Sequence, residues 1–220
     1  MFNGELVTLG PIQHDYLPHY VEWLNDWEVR RFLAATLPHP LTLQDEEDWF
    51  NHQRGDKDSR VFAILTCGEG RLIGNCGLHQ IDWTNRHAIL GIFIGDKNYW
   101  GKGYGTDATR TLLRYAFEEA GFHRLELVVF DFNPRAIRVY EKAGFRLEGT
   151  RKQALYREGA WHDEHAQQHQ YDAAARIAHA AQRHPRLRRN ARLRSRIAHA
   201  RRDQGHGVDH RAERARVATA

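Results

Sequence analysis

The 220-residue sequence predicts a mixed α/β domain followed by a basic tail. Strand-like and helix-like segments alternate along residues 1–164, one short glycine turn joins two strand-like runs, and a glycine-rich loop links a buried run to an amphipathic helix. The charge then changes sign, because residues 1–164 contain 19 Lys and Arg against 24 Asp and Glu, whereas residues 165–220 contain 13 against 4. We therefore place a domain boundary at Glu164.

No membrane span, signal peptide or metal site is predicted. No window approaches the roughly 18 consecutive apolar residues of a span, and the N-terminus lacks a basic segment followed by an apolar one. Cys67 and Cys76 lack a zinc or redox spacing, which predicts buried free thiols in a reducing compartment. His165 and His169 are spaced i, i+4, but no Glu lies between them as in a zinc-protease helix. We expect a cytoplasmic protein.

The N-terminal elements begin with a weakly alternating strand at Glu5–Leu9. Apolar residues at helical spacing across Asp15–Phe32 predict one or two amphipathic helices. Thr42 is a predicted N-cap of a further helix, since four acidic residues follow near its first turn and Trp49 and Phe50 supply a buried side. The alternative for the acidic cluster is a lip for a cationic substrate.

A hairpin and a central strand follow. Arg60–Thr66 and Arg71–His79 are strand-like runs separated by the turn residues Cys67–Gly70, and we expect them to pair antiparallel. Ala88–Ile94 is a nearly continuous apolar run, which predicts a central strand buried on both faces. Gly91 inside this run predicts a bulge or a close backbone approach.

The alternation continues to the end of the domain. Helical spacing over Thr106–Ala120 predicts a helix, and β-branched residues in Arg124–Asp131 predict a strand. Asn133–Gly144 has the proline start and glycine end of a short helix. Arg146–Tyr156 is a predicted strand, and the turn residues Arg157–Ala160 predict a partner strand directly after it.

The connection Tyr99–Thr106 carries three alternating glycines. Glycine lets the backbone approach a ligand, and N–H groups at a helix N-terminus bind phosphate. The loop is not a Walker loop, because Lys102 is followed by Gly103 rather than Ser or Thr. It is also a poor dinucleotide fingerprint, since several residues separate it from the strand. A flexible turn without a ligand is the alternative.

Two motifs in order resemble the GNAT N-acetyltransferases. Trp100–Thr106 follows a buried strand, and Asn133–Phe145 follows the next strand at the family spacing. The resemblance runs from Glu5 to Glu164 and is to the branch with ribosomal-protein N-terminal (alanine) acetyltransferases and spermidine acetyltransferases. It implies the GNAT fold, in which a central, twisted, mostly antiparallel sheet is flanked by helices.

The resemblance implies that acetyl-CoA binds where the central strand and the next strand splay apart. Pantetheine would then pair with the backbone at Ile92, Phe93 and Ile94. Pyrophosphate would meet the N–H groups of Gly101, Lys102, Gly103, Tyr104, Gly105 and Thr106. The usual Gln or Arg at the start of this loop is Trp100 here, so Lys102 is the candidate for a charge on the phosphate.

Asn133 and Tyr140 match the family's polar contacts beside the thioester, and Tyr140 is the implied acid for the departing CoA thiolate. The residues alone leave a second interpretation, because Asn133 is also typical of a helix N-cap and Tyr140 of a core position. A backbone N–H near Phe93 or Ile94 would stabilise the oxyanion that forms when an amine attacks the thioester.

The acceptor amine must lose a proton before it attacks. A chain-terminal amine with a pKa near 7.8 is roughly one-tenth neutral at pH 7, whereas a lysine-like amine near 10.4 is about four parts in ten thousand neutral. Many relatives have a Glu at the position of Ile89, so the resemblance assigns no base. His79, Asp82 and His87 are the nearest candidates, or else exposed strand-end and turn residues.

Residues 165–220 depart from the family, which continues with an apolar strand. His165–Gln170 has poor strand propensity, so we expect the final strand to be missing or replaced and the tail to be disordered or irregularly helical. Lysine vanishes while Arg, Ala and His rise, which predicts a frameshift near codon 164 that resequencing can test. The alternative is a functional arm whose thirteen arginines bind RNA or the ribosome.

The sequence and the resemblance together predict an acetyl-CoA-dependent N-acetyltransferase that uses no metal. The expected acceptor is the N-terminal α-amine of a ribosomal-type protein, ahead of a small polyamine or an aminoglycoside. An inactive or truncated fold with a nucleic-acid-binding tail is the alternative from another class. We expect no membrane partner, and the sequence is compatible with a homodimer.

Overall fold

The computed structural model describes residues 1–33 and 39–170. Within these residues one sheet has eight strands in the order β1-β2-β3-β4-β5-β6-β8-β7. Every neighbouring pair is antiparallel except β5 and β6, which are parallel. The predicted mixed α/β architecture is confirmed. The strands are β1 Phe2–Asn3, β2 Val7–Gly10, β3 Arg60–Thr66, β4 Leu72–Asp82, β5 His87–Ile94, β6 Arg124–Phe130, β7 Arg146–Arg157 and β8 Ala160–Gln170.

The helices are those that the apolar spacing predicts. The predicted helix at Thr106–Ala120 is an α-helix that continues into a π-helical turn at Tyr115–Glu119. Short 3-10 turns lie at His14–Tyr16 and Lys97–Tyr99. In the described part of the chain the α-helices are α1 Leu17–Asn25, α2 Trp27–Arg30, α3 Leu43–Gly55, α4 Tyr104–Arg114 and α5 Pro134–Ala143.

Thr42 caps α3 as predicted. Its hydroxyl oxygen accepts from the N–H of Asp45 at 3.3 Å, and its own N–H donates to the Asp45 carboxylate at 2.7 Å. These two bonds satisfy groups that a helix start leaves without intrahelical partners. The hydrogen bonds from Thr42 also lower the pKa of Asp45. The acidic cluster therefore begins a helix.

Two apolar cores cover the two faces of the sheet. The face under α4 and α5 includes Ile64 and Leu112, and the face under α1 and α3 includes Tyr20, Ala63 and Leu65. Strand β3 supplies both, since side chains alternate between the faces of a strand. The helices thus leave two distinct sides from which a ligand can approach the sheet.

The predicted hairpin is the pair β3 and β4, and it separates the two cysteines. Cys76 lies within β4 and is buried, whereas Cys67 follows β3 at the turn and is exposed. The prediction that both thiols are buried is therefore wrong for Cys67. Gly91 produces no bulge, because the β4–β5 register is continuous through it.

The final strand is present, which corrects the expectation that His165–Gln170 would not form one. Strand β8 lies between β6 and β7 and is antiparallel to both. Ladder partners on two sides outweigh the weak strand propensity of its residues, and some of its polar side chains find partners. Arg151 pairs with Glu164 at 2.6 Å, and Thr150 bonds His165 at 3.0 Å. A domain boundary at Glu164 therefore falls inside a strand.

The strand conformation also separates His165 from His169. Four residues span about 13 Å along a strand, whereas side chains four apart on a helix are neighbours. His169 instead packs between the rings of Phe117 and Phe145, at centroid distances of 5.1 and 5.6 Å. Among the described residues, no group of three His, Cys, Asp or Glu side chains could hold a metal ion.

Replacing Gln167 with methionine is expected to stabilise the protein. Gln167 is 3% exposed, and its Oε1 has no hydrogen-bond partner among the described residues. An unsatisfied buried polar atom costs about 1–3 kcal/mol, which methionine of similar shape avoids. A gain of about 1 kcal/mol should raise Tm by about 2–4 °C in a thermal melt. Gln168→Met is the control and should not stabilise, because Gln168 accepts from Arg124 at 3.0 Å. A lower Tm for Gln167→Met would contradict the argument.

Residues 34–38 and 171–220 lie outside the described residues. The predictions for the tail, including disorder, irregular helix, frameshift and a nucleic-acid-binding arm, fall on the second range and stay predictions. Within residues 1–33 and 39–170, no α-helix has the length and apolar composition to cross a membrane.

Candidate active site

The cleft between β5 and β6 begins where these parallel strands stop pairing. Their ladder ends at Ile89 opposite Glu126, whereas β5 stays paired with β4 as far as Ile94. The backbone edge from Leu90 to Ile94 thus has no strand partner on the β6 side within the described residues. This opening corrects the prediction of a fully buried strand, because Gly91–Ile94 is only partly buried.

The gap opens into a cavity of about 330 Å³. This volume lies within the range of about 300–1,000 Å³ that is usual for small-molecule sites. Two of the residues assigned to acetyl-CoA from the sequence do not line it: Lys102 is exposed, and the Tyr104 ring packs 4.9 Å from Tyr99. Those that do line it are Ile92, Phe93, Ile94, Gly101, Gly103, Gly105, Thr106, Asn133 and Tyr140.

The glycine loop forms one wall of the cavity. Gly101 and Gly103 have φ angles of +71° and +94°, which favour glycine. The Trp100 Nε1–H donates to the carbonyl of Ile94 at 2.7 Å and ties the loop to the end of β5. Gly103 is the N-cap of α4 and offers no side chain to the first N–H groups of the helix. Those N–H groups can therefore bind an anion.

The only acid in the first turn of α4, Asp107, is engaged elsewhere. Its carboxylate accepts from the backbone N–H groups of Glu5, Leu6 and Val7 at 3.1, 2.8 and 3.0 Å. These bonds draw its negative charge toward the N-terminal strands. The positive end of the α4 dipole is therefore left facing the loop.

Asn133 and Tyr140 have structural roles and also line the cavity. Asn133 Oδ1 accepts from the N–H of Ala136 at 3.1 Å, which makes it the N-cap of α5. Tyr140 is 8% exposed and packs against Phe145. Burial raises the pKa of Tyr140 to about 12, so its phenol is protonated at neutral pH. The N-cap and core positions are confirmed, and the role of both residues beside the thioester stays a prediction.

A family model described as an acetyltransferase (GNAT) domain matches residues 7–146. The chain belongs to the GNAT acetyltransferase family. Two relatives come from Bacillus subtilis strain 168: YjcK, provisionally named an N-acetyltransferase, is 41% identical over 115 residues, and YdaF, provisionally named a ribosomal N-acetyltransferase, is 39% identical over 116. These matches cover 50% and 53% of this chain and 62% and 61% of the relatives, so the chain spans about three fifths of their length.

Solved structures share the GNAT fold. The spermidine N-acetyltransferase from Vibrio cholerae, in complex with CoA and spermine, has a TM-score of 0.69 and 24% identity, covering 74% of this chain and 95% of that one. A GNAT-family acetyltransferase from Bacillus anthracis has a TM-score of 0.66 and 24% identity, covering 77% and 97%. At these identities the likeness shows the fold alone.

The cleft between β5 and β6, called the GNAT cleft below, has a cationic wall that the sequence did not predict. Arg135, Arg138 and Lys142 line the cavity from α5. The guanidinium of Arg135 lies 3.8 Å from the centroid of the Trp100 ring, and burial lowers its pKa. The spacing i, i+3, i+7 does place these three residues on one helix face. Only the packed structure shows that this face meets the cavity.

A second wall comes from α2 and the residues after it, and no sequence signal pointed to it. Phe32 lines the cavity together with Val29 and Leu33. The β7–β8 turn is anchored to this segment, since Glu158 accepts from Trp27 at 3.0 Å and from Arg31 at 2.7 Å. Contacts between segments more than a hundred residues apart thus complete the apolar side of the GNAT cleft.

The three base candidates lie at different distances from the GNAT cleft. Asp82 and His87 face each other at the closed end of the β4–β5 hairpin. His87 is six residues before Phe93, or about 20 Å along a strand. His79 is nearer, because its imidazole lies over Gly91. Asp82 and His87 are therefore poorly placed to take a proton in the cleft.

Proposed function

We propose that this chain transfers an acetyl group from acetyl-CoA to a primary amine, and that the amine is the N-terminal α-amine of a protein of the ribosomal type. The observation that carries the proposal is the wedge-shaped cavity between β5 and β6, with the glycine loop on one wall and Tyr140 on another. The provisional name of YdaF agrees with this acceptor.

The residues of the cavity suit acetyl-CoA. On the edge without a strand partner, Ile92 offers its N–H and C=O groups and Ile94 its N–H to the amides of pantetheine, because the backbone groups of Phe93 point to β4 and the Ile94 carbonyl accepts from Trp100. The glycine loop and the start of α4 offer N–H groups to pyrophosphate. Arg138 and Lys142 add positive charge from α5, which favours the phosphates of the same molecule.

The reaction is direct attack of a neutral amine on the thioester carbonyl. The N–C bond forms first and gives a tetrahedral oxyanion, which the backbone N–H of Ile94 on the unpaired edge of β5 stabilises. The C–S bond then breaks, and the thiolate leaves. The phenol of Tyr140 donates a hydrogen bond to that sulfur. Complete proton transfer from a phenol of pKa about 12 to a thiolate whose conjugate thiol has a pKa of about 8.5 would be uphill by about 5 kcal/mol.

The charges around the acceptor side favour a single amine over a polycation. On α2, Asp26 and Glu28 both contact Lys97, at 2.7 and 2.5 Å. On the β7–β8 turn, Glu158 is paired with Arg31 at 2.7 Å. The two cations offset two of these three carboxylate charges, so a single negative charge remains to attract a polyamine.

One carboxyl supports the polyamine alternative. Glu46 on α3 is 7% exposed, and no ion pair or hydrogen bond to its side chain is found among the described residues. Burial raises its pKa, and Arg30 opposes this shift, so a cation already acts on this carboxyl. We therefore place the polyamine second.

The first test is a calorimetric titration of acetyl-CoA into the 220-residue protein, paired with a thermal melt. Saturable binding should raise Tm, because the ligand binds only the folded state. CoA release is then measured with peptides that have a free α-amine, with spermidine and with an aminoglycoside. The α-amine peptides should give the highest kcat/KM at pH 7. Binding without CoA release on any amine would overturn the proposed activity, and faster release with spermidine would overturn the proposed acceptor.

A further inference from the structure

Gly91 leaves a notch in β5 that the side chain of His79 fills. Ile89, Gly91 and Phe93 share the face of β5 that carries α1 and α3, since strand side chains alternate and the Phe93 ring lies 6.2 Å from that of Tyr20. A Cβ built on Gly91 would lie 3.3 Å from Cδ2 and Nε2 of His79. The imidazole of a β4 residue thus lies over the part of β5 that borders the cleft, outside the lining of the cavity itself.

A hydrogen-bond relay sets the orientation of this imidazole. The Ser59 hydroxyl donates to Oε1 of Gln53 at 3.1 Å. The hydroxyl oxygen of Ser59 also lies 3.3 Å from Nδ1 of His79. A hydroxyl has one proton, so Ser59 must accept from Nδ1–H. The neutral ring then carries its lone pair on Nε2, the nitrogen that lies over Gly91. Nε2 has no hydrogen-bond partner among the described residues.

The surroundings keep the ring neutral. Burial lowers the pKa of His79, and Asp56 at the end of α3 opposes this effect only in part. Arg60 directs its guanidinium to the carbonyls of Asp56 and Ser59, at 3.2 and 2.5 Å. From β5 the ring meets Gly91, which carries no charge. An unprotonated Nε2 at pH 7 is the state that a proton acceptor needs.

We infer that His79 is the general base, which accepts the proton of the attacking amine on Nε2; the inference rests on the proposed function. Acetyl-CoA would be held from the face of α4 and α5, so the amine must approach from the opposite face, where His79 lies. Gly91 is two residues from Phe93, about 6.6 Å along the strand. One water molecule can bridge such a distance. The proton moves from the amine nitrogen to Nε2, and the imidazolium later releases it to solvent.

The test compares His79→Gln with His87→Gln, which changes a second histidine at the far end of β5. Both proteins are assayed with acetyl-CoA and with the α-amine peptide that the wild type acetylates fastest. His79→Gln should lower kcat/KM at pH 7 by about 10²-fold or more, with an unchanged Kd for acetyl-CoA. His87→Gln should remain near the wild type. Equal kcat/KM for His79→Gln and the wild type would overturn the assignment.

The pH profile separates a base from a packing role. Wild-type kcat/KM should be level above pH 7 and should fall at low pH as His79 is protonated. In His79→Gln the neutral fraction of the α-amine limits the rate, so kcat/KM should rise about sevenfold between pH 7 and pH 9. A variant that loses activity equally at both pH values would show a structural role.

Side-chain NMR of the histidines tests the relay without any acceptor. The His79 signal, assigned by its loss in His79→Gln, should show a proton on Nδ1 at pH 7. A proton on Nε2 would mean that Gln53 donates instead, and this would overturn the assignment.

Ser59→Ala keeps the imidazole and should lower kcat/KM less than His79→Gln does, which covers the case in which His79→Gln folds poorly. If the wild type binds acetyl-CoA but acetylates no amine, the proposed function and the base fail together; if only His79→Gln behaves as the wild type, the base fails alone.

Discussion

Gly103→Ala is expected to weaken acetyl-CoA binding by about five- to thirtyfold. Gly103 has a φ of +94° at the N-cap of α4, where a side chain costs about 1–2 kcal/mol. The added Cβ would also lie 3.4 Å from Leu6. If the loop relaxes this strain, its N–H groups turn away from the cavity. The binding of acetyl-CoA must then return the loop to its original conformation, which costs the same 1–2 kcal/mol, or about five- to thirtyfold in Kd. Calorimetry with acetyl-CoA measures the change in Kd.

Gly68→Ala is the matched control for this prediction. Gly68 has a φ of +91° in the β3–β4 turn, and a Cβ there would contact nothing within 4 Å. The backbone penalty is therefore similar, and both variants should lower Tm. Only Gly103→Ala should change the Kd for acetyl-CoA. Equal affinity in the two variants would show that the glycine loop does not hold the phosphates.

The elements that the sequence predicted well depend on residues close together in the chain. The cap at Thr42 needs only Asp45, three residues later. The β3–β4 hairpin needs a four-residue turn between two strand-like runs, and α5 ends at Gly144, whose φ is +100°. Local chemistry decides such features, so they can be read from a short window.

The partner strand after the Arg157–Ala160 turn was predicted correctly, but its continuation through His165–Gln170 was predicted wrongly because the stability of that half is not local. Its residues are polar, and intrinsic strand propensity argues against them. The position between β6 and β7 supplies backbone partners on both edges, and Arg151 supplies a charge for Glu164. A window of sequence contains neither contribution. The orphaned Oε1 of Gln167 is the part of the local argument that remains true in the folded protein.

The candidate site divides in the same way. The glycine loop and Tyr140 could be found from motifs, whereas Arg135 and Phe32 reach the cavity only through the packing of α5 and α2. His79 is the intermediate case. Its sequence position near the central strand made it one of three candidates, and the absence of a side chain at Gly91 lets its ring lie over β5 beside the cleft. The glycine inside β5 thus indicated a close approach to the strand, although the sequence did not show that His79 makes it.

Tyr140→Phe is expected to lower kcat by about 10²–10³-fold, the usual effect of removing one hydrogen-bond donor to a developing charge. Phenylalanine keeps the ring that packs 5.9 Å from Phe145, so the melt and the Kd for acetyl-CoA should change little. Tyr115→Phe is the control, because Tyr115 packs against Phe2 and Phe62 and does not line the cavity. Single-turnover acetyl transfer to an α-amine peptide measures the chemical step directly.

The pH dependence distinguishes the loss at Tyr140 from the loss at His79. A pKa of about 12 keeps the Tyr140 phenol protonated throughout the neutral range. Tyr140→Phe should therefore lower the pH profile of kcat/KM without changing its shape, whereas His79→Gln should change the shape. An activity within a few-fold of the wild type would contradict a role for the phenol at the sulfur. A changed shape would also contradict this role, because a phenol that stays protonated throughout the neutral range cannot add a limb to the profile.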